Sequence, residues 1–459
     1  MHDALKKEIG VYERRTPKSA QAHKRARQRV PLGVASNYRG YDPYPIFVQQ
    51  GKGSKICDID GNEYVDHNLC FGVLMAGHSH PAIVRAVEES LRIGTTFGMP
   101  HQMEWELAEE ICARYPVDMV RFGSTGTEVT MHACRLARAA TKRDKILKFE
   151  GGYHGLHDTA LVSVKPQASE IGDPKAPNSV PGGLGIPKGT LESVVVAGFN
   201  DLEGVQRRFK EYPNQIAAVI LEPIMMNVGI CMPQPGFLEG LRDITNKNGA
   251  LLIFDEVKTG AKLALGGACE YFGVKPDIIA LAKAIGGGMP LGAFAAHRAV
   301  MDLISDHKVF HGGTYNTNRV SMSAGLAMFR EVLTPENYAH VARLSKKLAD
   351  GYRKVIDRVE LAAYVASAGA NGALMLYPKE VRNYRDWLEI DQDLWRQYWF
   401  GMVNRGVLPQ PFWWDEQWTI SVQHTDADID KHLAAFEDLA PELAKVQHER
   451  GAQFLGAAH

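Results

Sequence analysis

The sequence predicts an α/β fold, a mainly parallel sheet flanked by helices, joined to a smaller α+β domain. Between about residues 117 and 300, short β-branched runs alternate with helical stretches, and several of the runs end in turns rich in small and polar residues. That alternation is the pattern of parallel strands connected by crossover helices. The chain of 459 residues is also too long for one compact core and suits a large domain with a small one.

The strand candidates are MVRF (119–122), ILKF (146–149), VVVAGF (194–199), IAAVIL (216–221), ALLIF (250–254) and IIALA (278–282). The first, second, fourth, fifth and sixth lead into GSTGTE, EGGYHG, EPIMMN, DEVKTG and KAIGGGMP. Open α/β sheets bind ligands beyond the carboxyl ends of their strands, so these turns are expected to converge on one site. The large domain is assigned to residues 71–330. Residues 331–459 read as the small domain, with helices around 336–357, 388–405 and 427–447 and a strand over WTISVQ (418–423). Residues 1–70 are expected to contribute to the small domain and the site entrance; they carry an irregular GVASNYRGYDPYPIF stretch and then a hairpin turning at Asp60-Gly61-Asn62.

Composition narrows the function classes. Lys+Arg 52 against Asp+Glu 53 gives a formal net charge of -1, so no global field draws the chain to nucleic acid or an anionic membrane. Nine Lys/Arg against three Asp/Glu in the first thirty residues fit either an RNA-contacting arm or, the plainer reading, a solvated helix lying on the body. No run of about 18 apolar residues is present, and no apolar leader opens the chain. Six scattered cysteines lack CxxC or zinc spacing and read as reduced thiols, which places the expected location in the cytoplasm.

The turns carry the chemistry. Gly123 to Glu128 follows a strand and opens the helical run VTMHACRLARAA, where amides and hydroxyls can hold a phosphate, although such a turn also serves simply to cap a helix. Asp255 directly follows an apolar strand, where an ionised carboxylate needs a positive partner. Lys283 follows another apolar strand and precedes Gly286-Gly287-Gly288, an environment that can lower an amine's pKa and make it nucleophilic. From these two residues alone an internal ion pair is equally compatible. One cofactor uses all three elements: pyridoxal 5′-phosphate (PLP), with a phosphate for the turn, a pyridinium nitrogen for the carboxylate and an aldehyde for the lysine. Tyr153 supplies an aromatic face for its ring.

GSTGTE (123–128), GGYHG (151–155), FDEVKTG (254–260), LAKAIGGGMPLGAF (281–294) and HGGTYNTN (311–318), in this order and within a likeness that spans roughly residues 30–440, resemble the class III aminotransferases of PLP fold type I. Within that class GVASNYRG, LEPIMMNVG and EQWTISVQHTDADID are most similar to glutamate-1-semialdehyde aminomutase and the β-amino-acid aminotransferases. The resemblance implies a seven-stranded sheet, Lys283 as Schiff-base lysine and proton shuttle, and Asp255 as the partner that keeps the pyridine nitrogen protonated. It implies that Val257 and Tyr153 cover the two ring faces, that Gly126 and Thr127 bind phosphate, and that Asn227 contacts the ring hydroxyl region. Thr125 and His154 belong to the same cofactor-binding turns, and Ser124-Thr125 replaces the family's usual Asn-Ser. Thr314 is implied to reach the phosphate of the other subunit, hence a homodimer with shared sites.

For the substrate, the resemblance assigns Arg39 to an anionic group and Glu416 to the amino end, with Tyr41 and Trp413 narrowing the pocket. The expected activity is transfer of an amino group between a small anionic amine or amino acid and a carbonyl compound. Aminomutase, epimerase and ammonia-lyase outcomes use the same machinery, and a non-catalytic PLP-binding protein is the rival from another class. No metal is expected: His78-Ser79-His80 has no spacing that completes a site. Gly51-Lys52-Gly53-Ser54 precedes a hairpin rather than a helix and reads as a turn.

Overall fold

The computed structural model describes residues 1–456, with side chains to residue 450. The chain divides into two compact units, one of residues 81–338 with 381–388, the other of residues 1–80, 339–380 and 389 onward.

In the larger unit seven strands form one sheet: β1 (Met119–Gly123), β2 (Lys145–Phe149), β3 (Val194–Ala197), β4 (Ile216–Leu221), β5 (Leu251–Asp255), β6 (Ile278–Leu281) and β7 (Gly292–Ala296). Their spatial order is β1-β7-β6-β5-β4-β2-β3. Only β7 runs against its neighbours, β6 and β1; the other adjacent pairs are parallel. The carboxyl ends of β1, β2, β4, β5 and β6 therefore leave the sheet along one edge. Six strands coincide with the six apolar runs. The seventh, GAFAA, has residues of low strand propensity and forms because burial of all five between two neighbours decides its state.

Helix α1 (Gly126–Thr141) follows β1 and buries Val129, Ala133, Leu136 and Ala137 against Ile220, Ile253, Ala280 and Phe294 of the sheet. This three-to-four spacing is the apolar stripe of a helix packed on one face, and it fixes where the helix N-terminus lies. Residues 381–388 pack with this unit because the guanidinium of Arg385 forks onto the buried carboxylate of Glu150, at 2.9 and 3.0 Å.

The smaller unit holds a four-stranded sheet (Val48–Lys52, Lys55–Asp58, Glu63–Asp66 and Val407–Leu408) and a three-stranded one (Tyr364–Ala368, Asn371–Met375 and Trp418–Thr419). Gly53-Ser54 and residues 59–62 are the two hairpin turns of the first sheet. The strand expected over 418–423 stops at Thr419, because Ser421 donates its backbone N–H to His424 Nδ1 at 3.1 Å and turns the chain away. The basic N-terminal segment forms helices Asp3–Arg15 and Pro17–Ala26, and Leu5 and Tyr12 on the first are fully buried against helix Gln392–Asn404. Among the described residues no helix is long and apolar enough to cross a membrane.

Candidate active site

Three turns approach closely at the carboxyl edge of the larger unit's sheet. An ideal Cβ on Gly126 would lie 3.1 Å from Val257 Cγ1 and 3.7 Å from Ala282 Cβ, so the start of α1, the turn after β5 and the residue before Lys283 lie side by side. The turn after β2 reaches the same place: Gly155, at φ +100°, brings its backbone within 2.7 Å of Thr127 Cα measured from an added Cβ. Only glycine fits there, by both conformation and space.

Thr125 caps α1. Its hydroxyl accepts the Glu128 N–H at 3.3 Å while Glu128 Oε2 accepts the N–H groups of Ser124 and Thr125, a reciprocal capping box. Those two amides are thereby committed to a carboxylate, and the anion-binding capacity of the turn rests with Gly126 and Thr127, the first two residues of the helix, which have no acceptor four residues back. Thr127 Oγ1 accepts the Leu156 N–H at 3.1 Å.

Asp255, at the end of β5, is 3% exposed, and its Oδ2 accepts from His154 Nδ1 at 2.8 Å while Oδ1 accepts the Val257 N–H at 3.0 Å. His154 is equally buried, and its carbonyl is held by the Thr130 hydroxyl at 2.6 Å. Tyr153 and Asn227 share one carboxylate: Glu222 Oε1 accepts the Tyr153 N–H at 3.1 Å, and Oε2 accepts Asn227 Nδ2 at 2.7 Å and the Met226 N–H at 3.1 Å. Burial raises the Glu222 pKa. Lys148, in the middle of the apolar strand β2, donates to the carbonyls of Gly152 (2.8 Å), Ala160 (3.0 Å) and Val162, and burial brings its pKa down to about 7.

Glu222 and Lys148 were missed at the level of sequence, yet both carry a signal. Glu222 follows IAAVIL as Asp255 follows ALLIF, and Lys148 interrupts ILKF. A charged residue in or just after an apolar strand of a parallel sheet needs a local partner.

Lys283 begins a short 3₁₀ turn (Lys283–Gly286) after β6 and is half-buried. Its φ of +51° lies in the left-handed region, which a β-carbon disfavours and which clusters at functional sites. Thr314 is exposed, between the exposed Phe310 and Tyr315.

The proposed substrate residues belong to the smaller unit. Arg39, in the 3₁₀ turn Asn37–Arg39, lines a cavity of about 450 Å³ with Tyr38, Tyr41, Phe71, Trp399 and Phe412. Tyr41 faces it as a ring: it stacks on Phe412 at 4.3 Å, and its hydroxyl, pushed up to about 12 by burial, accepts the Ile46 N–H at 3.1 Å. Trp413 is half-buried with its ring 5.9 Å from that of Phe412. Glu416 is buried, its Oε2 accepting from Gln417 Nε2 at 2.9 Å. Neither Trp413 nor Glu416 is among that cavity's lining residues. His78 Nε2 is bonded to Asp66 Oδ2 at 2.7 Å, and among the described residues no three His, Cys, Asp or Glu side chains gather as metal ligands.

A doubly wound sheet whose strand ends present a helix N-terminus, a buried carboxylate and a strained lysine defines a PLP enzyme of fold type I. The chain belongs to the class-III aminotransferases, whose family model matches residues 36–411. It is 40% identical over 426 residues to the glutamate-1-semialdehyde 2,1-aminomutase of Desulforudis audaxviator, covering 92% of this chain and 97% of that one. Among solved structures it is similar to an omega-transaminase from Sphaerobacter thermophilus (TM-score 0.88, 33% identity, 93% of this chain and 98% of that one). It is also similar to a glutamate-1-semialdehyde aminomutase from Pseudomonas aeruginosa PAO1 in complex with PMP (TM-score 0.88, 26% identity, 96% and 98%).

The protein is therefore an enzyme, and its cofactor is pyridoxal 5′-phosphate. The residues fit that group. Asp255 is a buried carboxylate whose side-chain partner is an imidazole rather than an ammonium or guanidinium, which suits it to a protonated ring nitrogen. A Cβ on Gly126 would crowd Val257 at 3.1 Å, and the bare glycine there leaves the helix amides open to a phosphate.

Proposed function

We propose that this enzyme is an aminomutase: it moves an amino group between carbons of one small anionic substrate and returns the amine to the skeleton it came from. The observation that carries the reading is the 40% identity to an aminomutase over nearly the whole of both chains; the burial of Glu416, which the resemblance assigns to the substrate's amino end, supports it.

When bound, PLP supplies an imine-forming aldehyde and an electron-withdrawing ring. Lys283 holds that aldehyde in the resting enzyme and then carries a proton to and from the substrate's reacting carbon; its half-buried position after an apolar strand supports this role. Asp255 keeps the ring nitrogen protonated, and His154 fixes the orientation of Asp255. Val257 and Tyr153 cover the ring, Gly126 and Thr127 hold the phosphate with Thr125 shaping the turn, and Asn227 reaches the ring hydroxyl. Arg39 binds the substrate's anionic group, and its place on the wall of a largely apolar cavity supports this. Thr314 serves the phosphate of a second subunit in a homodimer, in keeping with its exposure.

A second reading, net transamination between two substrates, is favoured by the likeness to an omega-transaminase. Supplying glutamate-1-semialdehyde labelled with ¹⁵N, without any added carbonyl acceptor, separates the two. The amino-shifted isomer retaining label is the result expected of an aminomutase; strict dependence on a second carbonyl compound overturns it in favour of transamination.

A further inference from the structure

One peptide unit, Gly152–Tyr153, is gripped at both ends by buried charged side chains. Its carbonyl accepts from Lys148 Nζ at 2.8 Å, and its N–H donates to Glu222 Oε1 at 3.1 Å. Lys148 and Glu222 stand on the neighbouring strands β2 and β4, one within its strand and one directly after it, and are 1% and 3% exposed. The same ammonium holds the carbonyls of Ala160 and Val162, eight and ten residues beyond that of Gly152. The same carboxylate holds Asn227. Thus the turn bearing Tyr153 and His154, the segment that follows it and the Asn227 loop are registered against each other through two side chains.

We propose that Lys148 is a positioning residue: its ammonium sets the Gly152–Tyr153 peptide, and with it the Tyr153 ring and the His154 imidazole, and the clamp loosens when that ammonium loses a proton. The physical ground is a donor count. A lysine ammonium has three N–H donors, and three carbonyls stand around this one; a neutral amine has two donors and a lone pair, which then faces a carbonyl in a buried place. Burial already brings the Lys148 pKa down to about 7, so this change falls near neutrality. The groups acting on it are the Glu222 carboxylate, which favours the charged form, the Cys134 thiol on α1, kept protonated by burial, and the His157 imidazole, which burial keeps neutral.

The consequence for the cofactor rests on the reading that Tyr153 covers its ring, so the test reads the clamp itself. Hydrogen exchange of the holoenzyme, followed by mass spectrometry between pH 6 and 8.5, is expected to show residues 151–162 losing protection by about fivefold, the worth of one hydrogen bond, beyond the change seen in helix Pro335–Val359. In Lys148→Arg, which stays charged, that step disappears. In Lys148→Met the affinity for PLP, measured by equilibrium dialysis, falls at least about tenfold. A wild-type segment 151–162 that tracks the control helix across this range overturns the proposal even if both variants fail to fold. A clamp that titrates as expected with unchanged PLP affinity in Lys148→Met keeps the clamp and removes its role for Tyr153.

Discussion

The carboxylate of Asp255 and the imidazole of His154 meet at 2.8 Å, each no more than 3% exposed. A carboxylate can only accept, so Nδ1 carries the proton, and the ring's orientation is set by the one bond. Strand register explains the meeting: Asp255 ends β5 opposite Ala280, and His154 lies in the turn after β2, both on the edge where the carboxyl ends emerge. Replacing Asp255 by Asn keeps the shape and removes the charge proposed to hold a proton on the cofactor ring. Turnover is expected to fall on the order of 10²-fold or more, with PLP still bound by dialysis. Near-normal turnover in Asp255→Asn would mean that another carboxylate serves the ring.

Lys283 is expected to be the lysine that holds PLP. Borohydride reduction of the holoenzyme, followed by digestion and mass spectrometry, should find the cofactor mass on the peptide containing Lys283. Label on Lys258, which donates to the Met226 carbonyl at 2.7 Å within the same edge of the sheet, is the outcome that sinks the assignment.

How far the sequence reaches is seen in contrasts between neighbouring elements. β4 and β5 were legible because a strand buried on both faces in a parallel sheet reads as a near-continuous apolar run. β7 was not, since GAFAA is buried by its neighbours rather than selected by propensity. Asp255 and Lys283 were legible as charges after apolar strands. Glu222 obeys the same rule and was overlooked inside EPIMMN, because its role is to join two loops, a relation that sequence spacing does not display. The turn was legible as a helix cap as well as a phosphate cradle, but the reciprocal bonds of Thr125 and Glu128 that make it a capping box were not.

Arg39→Ala should raise KM for substrates bearing a carboxylate or phosphonate by the equivalent of about 1.5–3 kcal/mol, roughly ten- to 150-fold, the usual worth of a hydrogen bond to a charged group. Neutral amines should change little. Steady-state kinetics with matched charged and neutral donors decide it; equal losses for both would assign Arg39 a structural part in its 3₁₀ turn instead.

The smaller unit carries an acid-sensitive core. His67, His424 and His432 are buried, with His67 4.6 Å from His424 and 4.5 Å from His432 between ring centroids. Burial lowers all three pKa values, to about 4 for His424 and about 3 for His432. Asp66 and Asp428 oppose the shift at His424, whereas His78 and His340 add to it, and Tyr352 bonds His432 Nε2 at 2.7 Å. An unfolded histidine titrates near 6.5, so below that pH the unfolded chain binds more protons than the folded one. Stability present above about pH 6.5 is therefore lost as pH falls toward 3, at about 1.4 kcal/mol per pH unit for each histidine. Thermal unfolding measured from pH 7 to 4 should show this decline. His432→Phe should make it shallower, and an unchanged slope in that variant would count against the cluster.

The proposed homodimer with shared sites gives the last prediction. Thr314 is exposed, and it sits between Phe310 at 86% and Tyr315 at 70% exposure, while Met99 and Trp105 stand at 75% and 55%. Large apolar side chains left in water at such density are what a subunit interface covers. Sedimentation should give twice the chain mass. If Thr314 completes the neighbouring phosphate site, Lys283→Ala and Thr314→Glu subunits, each inactive alone, should regain activity on exchange. The heterodimer then has one site carrying both lesions and one carrying neither. At random exchange half of the dimers are mixed, so about one quarter of all sites are intact, and about a quarter of wild-type turnover is expected. No recovery after exchange, shown complete by mass spectrometry of the mixed dimer, would assign Thr314 to its own subunit or to no site at all.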